Sequence, residues 1–259
     1  MRPTTCAVLL LTSVLSVFTS CKKDEAEDNI AITAVSTPTA AFSEFNSDAV
    51  SISFDGDEIT IESNALPNHT TPYWDESEPL YIDPVVADEA QMSPGTISSG
   101  SYTLTVPAAP DWASTSSATG LGAIGISVTG VPIFNGEEGP GIALTDAVAS
   151  GFDYAGGHMG PTGYHYHLEP QDVEENTVIS YDDAALNGIM SDGFLLYGRK
   201  CNSTGDYPTD LDESGGHYST TTHSDGTSFY HYHIVNEVYT GTYILLFGVD
   251  LKGTPNSIL

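Results

Sequence analysis

Two identical tetrapeptides, Tyr164-His165-Tyr166-His167 and Tyr230-His231-Tyr232-His233, hold four of the eight histidines in this chain. Two more arrive by the same route upstream. Asp153-Tyr154-Ala155-Gly156-Gly157-His158 precedes the first tetrapeptide, and Asp212-Glu213-Ser214-Gly215-Gly216-His217 precedes the second. In a β-strand, side chains alternate between faces, so His165 and His167 project together, as do His231 and His233, with the tyrosines opposite. Two imidazoles at i and i+2 can grip one metal ion through ring nitrogen. A Gly-Gly pair lets the backbone bend and carry a third imidazole to the same place. His158, His165, His167, His217, His231 and His233 are therefore the candidate ligands. Asp153 and Asp212 are candidates to complete the shell or to accept the second imidazole N–H. Nitrogen with carboxylate oxygen suits Zn, Cu, Fe, Ni or Mn better than Ca, with copper or zinc favoured. With no thiolate in the motif, a cysteine-type structural zinc site is excluded. His223, in an insertion of the second copy, competes with His217 on spacing, and His69 is a loop candidate. The metal-free alternative is a buried, hydrogen-bonded histidine network.

These residues need elements to hold them. Gly125 to Phe134 lines up without gaps on Gly188 to Tyr197, and the offset between copies stays at roughly 59 to 66 residues, which reads as an internal duplication. The halves span about 120–170 and 185–236. A pseudo-twofold relation between them would bring the two histidine pairs face to face on one shared ion. Apolar runs are short, rich in Val, Ile, Tyr and Phe, and broken by Gly, Pro, Asp and Asn, which predicts an all-β sandwich or barrel. Ser51 to Ile61 reads as a hairpin around Asp55-Gly56. Leu80 to Ile82 and Tyr102 to Val106 read as strands, Pro107 to Thr119 as a loop, Gly141 to Ala149 as a short helix and Tyr239 to Val249 as a closing strand.

The net charge is −29 over 259 residues, with six Lys and Arg, and no basic residue falls between Lys23 and Arg199. Such a surface repels nucleic acid and anionic lipid, so neither is an expected partner, and a protein or glycan partner stays unspecified. Met1-Arg2, the apolar run Ala7 to Phe18, and Thr19-Ser20-Cys21 resemble a bacterial lipoprotein signal peptide over 1–21, with Cys21 lipidated and the run too short to span a membrane. Lys22-Lys23-Asp24-Glu25 resembles a surface-export tag of Bacteroidetes lipoproteins. The expectation is a protein anchored by its N-terminal lipid at a Gram-negative outer membrane, surface-exposed or periplasmic, with residues 22–46 a flexible acidic tether. After processing, Cys201 is the one ordinary thiol, so no intrachain disulfide forms. Arg199 and Lys200 flank it, but it has no copy in the first repeat. No Gly-x-Ser-x-Gly or phosphate-cradling loop is present.

Ile61 to His69, Gly130 to Asn135, Gly156-Gly157-His158 with Tyr164 to His167, Ser191 to Phe194 with Tyr197-Gly198, and Leu211 to His217 together resemble the YHYH-domain proteins, secreted or lipid-anchored in bacteria. The resemblance runs from about Val50 to Asn236, within a single domain expected over 47–259, and it makes His69 more interesting. It implies a fold and a histidine site but no settled activity. A cysteine common in the family before Gly-Gly-His is replaced by Ala155 and Ser214, so no metal-thiolate or disulfide inference carries over. The functional expectation is a metal-binding domain of unassigned activity. A non-catalytic surface protein and a metal-dependent hydrolase or oxidase are its alternatives.

Overall fold

The computed structural model describes residues 36–176 and 179–259. The expected signal peptide, Cys21 and most of the expected tether lie outside these residues. Contacts group residues 34–259 into one unit.

The first elements are strands β1 (Val50–Asp55) and β2 (Glu58–Ser63), joined through Gly56 at φ +63°, as the alternating pattern predicted. They form an antiparallel sheet with β3 (Tyr102–Pro107), in the order β1-β2-β3. Ile59, Ile61, Leu104 and Val106 are buried on one face, and the Thr60 and Thr105 hydroxyls meet at 3.0 Å across the ladder on the other. β4 (Trp112–Ser117) lies in the stretch expected to be a loop. Next come β5 (Gly125–Ser127), β6 (Pro132–Ile133), the small hairpin β7 (Glu137–Gly139) and β8 (Ile142–Ala143), and one helical turn, α1 (Asp146–Ala149), capped by Thr145. The chain continues through β9 (Gly157–Gly160), β10 (Gly163–Tyr166), β11 (Leu186–Met190), β12 (Leu195–Tyr197), β13 (Gly216–Ser219), β14 (Phe229–His233) and β15 (Leu251–Gly253).

Eight of these strands build the large sheet, in the order β13-β14-β12-β11-β5-β6-β10-β9. Antiparallel β5 and β11 pair at its centre, with Ile126 opposite Ile189. Outward from that pair the pattern is the same on both sides: an antiparallel neighbour, then a parallel YHYH strand, then the antiparallel Gly-Gly-His strand. The three-stranded sheet covers the centre of one face, packing onto Ile126, Ile189, Leu195, Tyr197 and Phe229. Tyr164, Tyr166, Tyr230 and Tyr232 enter a second core with Val131, Ile133, Leu196 and Phe247. The protein is all-β.

Besides β4, and a helix shortened from Gly141–Ala149 to α1, three more expectations fail locally. Leu80 to Ile82 contributes only an isolated bridge between Thr71 and Tyr81. Tyr239 to Val249 makes isolated bridges rather than a strand, and Leu245 and Phe247 enter different clusters; β15 pairs with β4 instead. Residues 36–46 are part of the folded unit and not a tether. The Thr37 amide bonds the Ala108 carbonyl at 2.8 Å, and Phe42 and Phe45 are buried against the small sheet. Those two aromatic rings, spaced three apart in an otherwise polar stretch, recover enough apolar burial to order the segment.

Candidate metal centres

In each half the histidines converge on one point. Across β9 and β10, His158 stands directly opposite His165, and across β13 and β14, His217 stands opposite His231. The third imidazole of each set, His167 or His233, is two residues along the YHYH segment. In the first triad, His165 Nε2 lies 3.1 Å from His158 Nε2 and 2.9 Å from His167 Nε2. In the second, His233 Nε2 lies 3.1 Å from His231 Nε2 and 3.2 Å from His217 Nε2. All six residues are buried, none above 8% exposed.

The opposite ring nitrogens explain the orientation. His165 Nδ1 contacts the Gly163 carbonyl, His167 Nδ1 that of Asn135, His231 Nδ1 that of Phe229 and His233 Nδ1 that of Gly198. His217 Nδ1 meets the Asp210 carboxylate at 2.8 Å. A carbonyl or carboxylate can only accept, so each of these Nδ1 atoms carries its proton and each Nε2 presents a bare lone pair. Lone pairs facing each other at about 3 Å attract nothing but a cation. Tetrahedral zinc with nitrogen ligands at 2.0–2.1 Å would separate them by about 3.3 Å.

Burial opposes charging these rings. It lowers the basicity of His158 to about 2, of His165 to about 3 and of His167 to about 4, with the neighbouring imidazoles adding to the effect at His158 and His165. His231 falls to about 3 and His233 to about 4 for the same first reason. The rings are held neutral, the form that ligates metal.

The glycine pairs have separate duties. Gly156 and Gly215 sit at φ +77° and +71°, which only glycine adopts freely. A Cβ on Gly157 would lie 2.7 Å from the Tyr164 ring, and one on Gly216 would collide with Tyr230. The second glycine thus makes room for the tyrosine on the neighbouring strand.

Several candidates lie elsewhere. Asp153 is on the tyrosine side, accepting from the Thr71 and Tyr164 hydroxyls and from the Ala155 and Gly157 amides. Asp212 accepts from Tyr230, Ser214 and Gly216 and pairs with Lys252. Both brace the Gly-Gly turn; backbone carbonyls take the imidazole protons of four rings in their place, and the Asp210 carboxylate takes that of His217. His69 is buried, with Nε2 2.6 Å from the Tyr166 hydroxyl behind the first triad, and burial lowers its basicity. His223 contacts Tyr197 and Glu44, and it is His217 that joins the second triad. A single shared ion does not fit. The YHYH strands β10 and β14 are five strand steps apart, which at 4.7–4.9 Å per step is about 24 Å.

Three groups were missed, one of them Asp210, which accepts from His217 Nδ1. Glu138 Oε1 lies 3.6 Å from both His158 Nε2 and His167 Nε2, its carboxyl raised by burial toward the protonated form. Cys201 Sγ lies 3.6 Å from His217 Nε2 and is buried. Among the described residues, His158, His165 and His167 form one mutually close cluster that could hold a metal ion, and Cys201, His217 and His233 form another; Glu138 stands outside the first cluster and His231 outside the second. A signal existed. The ungapped 63-residue offset that puts Phe134 on Tyr197 also puts Glu138 on Cys201.

The surroundings of the triads differ. Phe134 stacks on His165 at 4.0 Å and Phe152 on His158 at 4.1 Å, walling the first. Cys201 and His217 of the second line an open cleft of about 680 Å³.

This is an all-β protein with a buried histidine triad near each end of its main sheet. The family model described as "YHYH protein" matches residues 103–218, so a YHYH domain is present over that part of the chain. The match is narrower than Val50 to Asn236: it takes in the first triad and His217 but stops before His231 and His233, and it leaves out His69. No curated protein and no solved structure matches the chain.

Proposed function

We propose that this is a lipid-anchored extracytoplasmic protein whose YHYH domain holds two transition-metal ions, one in each triad. We further propose that its halves descend from one duplicated unit. The carrying observation is the convergence of buried Nε2 lone pairs, fixed by Nδ1 protons that point at backbone carbonyls. Beyond a His158-to-His165 bond, which needs no such change, a metal-free network would need a proton moved from Nδ1 to Nε2 at His165, His167, His231 or His233. That leaves a buried carbonyl without its donor, at about 1–3 kcal/mol for each ring changed. Copper and zinc suit the imidazole donors best. Anchoring rests on the Ala7 to Cys21 pattern.

Elemental analysis of the purified protein tests the core of this reading. About two equivalents of transition metal per chain are expected, falling to about one in the His165→Ala variant. Metal-free protein that melts cooperatively and gains no stability from added Cu, Zn, Fe, Ni or Mn would sink it.

One observation favours a reactive role over a purely structural one, and it concerns the second centre only: Cys201 and His217 face the cleft. A reactant could reach an ion there, whereas Phe134 and Phe152 cover the first. Turnover, once found by screening hydrolase and oxidase substrates, should vanish in His217→Ala and survive in Glu138→Gln. The reverse pattern would place the chemistry in the first half.

A further inference from the structure

Resting on the two-ion reading, we infer that the two centres are chemically unlike: the first completes its triad with the Glu138 carboxylate, the second with the Cys201 thiolate, so the second selects thiophilic ions.

Three observations meet here. Position is the first. Asn135 and Gly198, related by the 63-residue offset, play the same part, each giving its carbonyl to the Nδ1 of the last histidine in a YHYH segment. Three residues further on, at the same offset, stand Glu138 and Cys201. The fold thus delivers a side chain to the fourth position in both halves, and only its identity differs.

Distance is the second. For zinc–sulfur near 2.3 Å and zinc–nitrogen near 2.05 Å in a tetrahedron, the ligand atoms lie about 3.6 Å apart. Cys201 Sγ and His217 Nε2 are 3.6 Å apart. Glu138 Oε1, at 3.6 Å from two triad nitrogens, is close to the oxygen–nitrogen edge of about 3.3 Å.

The third is the environment of the sulfur. Ser203 Oγ lies 3.1 Å and Ser219 Oγ 3.0 Å from Sγ; Ser219 also reaches the Thr220 carbonyl and Ser203, which leaves the Ser203 hydroxyl free to donate to a thiolate. On ligation the S–H bond is exchanged for a sulfur–metal bond, the ion keeps its oxidation state, and the proton leaves to solvent through the cleft. Soft thiolate donors favour Zn and Cu(I) over harder ions, while a His and carboxylate set admits Mn, Fe or Zn.

Cobalt(II) separates these cases, because only a thiolate ligand adds an intense sulfur-to-cobalt charge-transfer band in the near ultraviolet. The full chain, reduced and stripped of metal, would be titrated with cobalt(II) alone. Two equivalents should bind, with the charge-transfer band saturating at one. The band should vanish in Cys201→Ser, persist in Glu138→Gln, and double in Glu138→Cys, a gain that a misfolded variant would not give. Two bound cobalt ions with no such band, or a band unaffected in Cys201→Ser, would overturn the inference while leaving metal binding intact. No bound cobalt at all would overturn both.

Discussion

Each triad imidazole with a defined Nδ1 contact gives that proton to an oxygen acceptor, and this one choice creates the inward lone pairs. It also fixes the pH behaviour. His158, His165, His167, His231 and His233 all have basicity lowered by burial to between about 2 and 4, against an unfolded value of 6.5. Between those limits the unfolded chain binds protons that the folded chain refuses. The stability these rings contribute is therefore complete above pH 6.5 and is lost as pH falls toward about 3. Within that window each costs about 1.4 kcal/mol per pH unit, a large share of a typical total of 5–15 kcal/mol. Metal-free protein should unfold within about two units below pH 6.5, with the loaded form surviving further into acid, as followed by circular dichroism. Equal acid midpoints with and without zinc would contradict the neutral-ligand account. The Gly157→Ala change is a second residue-scale test. Its Cβ must displace the Tyr164 ring, on which Asp153 also depends. Overpacking of this kind costs about 1–3 kcal/mol, and the first centre should lose affinity while the second keeps it.

At the scale of elements, the strands do two jobs at once. Each YHYH strand sends tyrosines into the core and histidines to the opposite face, so ligand geometry is tied to core packing. The segment before β1 belongs to the same fabric. Phe42 and Phe45 stack at 6.0 Å and close one side of the small sheet's core. Each buried aromatic contributes about 1.5–3 kcal/mol, so a chain beginning at Val50 should lose about 3–6 kcal/mol relative to one beginning at residue 36. In a domain of this size that lowers Tm by more than about 6 °C, readable by scanning calorimetry. Identical melting would return residues 36–46 to the status of a tether.

At the scale of the whole molecule, the separation of the triads has a measurable result. Sites about 24 Å apart with no common ligand should behave additively. His165→Ala and His231→Ala should each remove one ion, and the double variant two. If either single change stripped both ions, the centres would have to communicate through the β5–β11 seam. No helix of the described residues is long and apolar enough to cross a membrane. The anchoring proposal therefore falls to mass analysis of the mature N-terminus, which should show a lipidated Cys21.

The six histidines, their strand setting and the all-β class were legible in the residues alone, because a period of two and a repeated motif are local properties of a chain. The Gly-Gly pairs were legible for the same reason, since backbone freedom is local. What tertiary structure decided was which atoms meet. Two copies of a motif fit one shared ion or two separate ones equally well until strand order intervenes, and the β5–β11 pairing drives the copies to opposite ends of the sheet. Asp153 and Asp212 had the right chemistry but stand on the tyrosine face, a matter of side and not of spacing. Glu138 and Cys201 looked unrelated because their chemistries differ. Only the shared fold brings each beside a histidine triad.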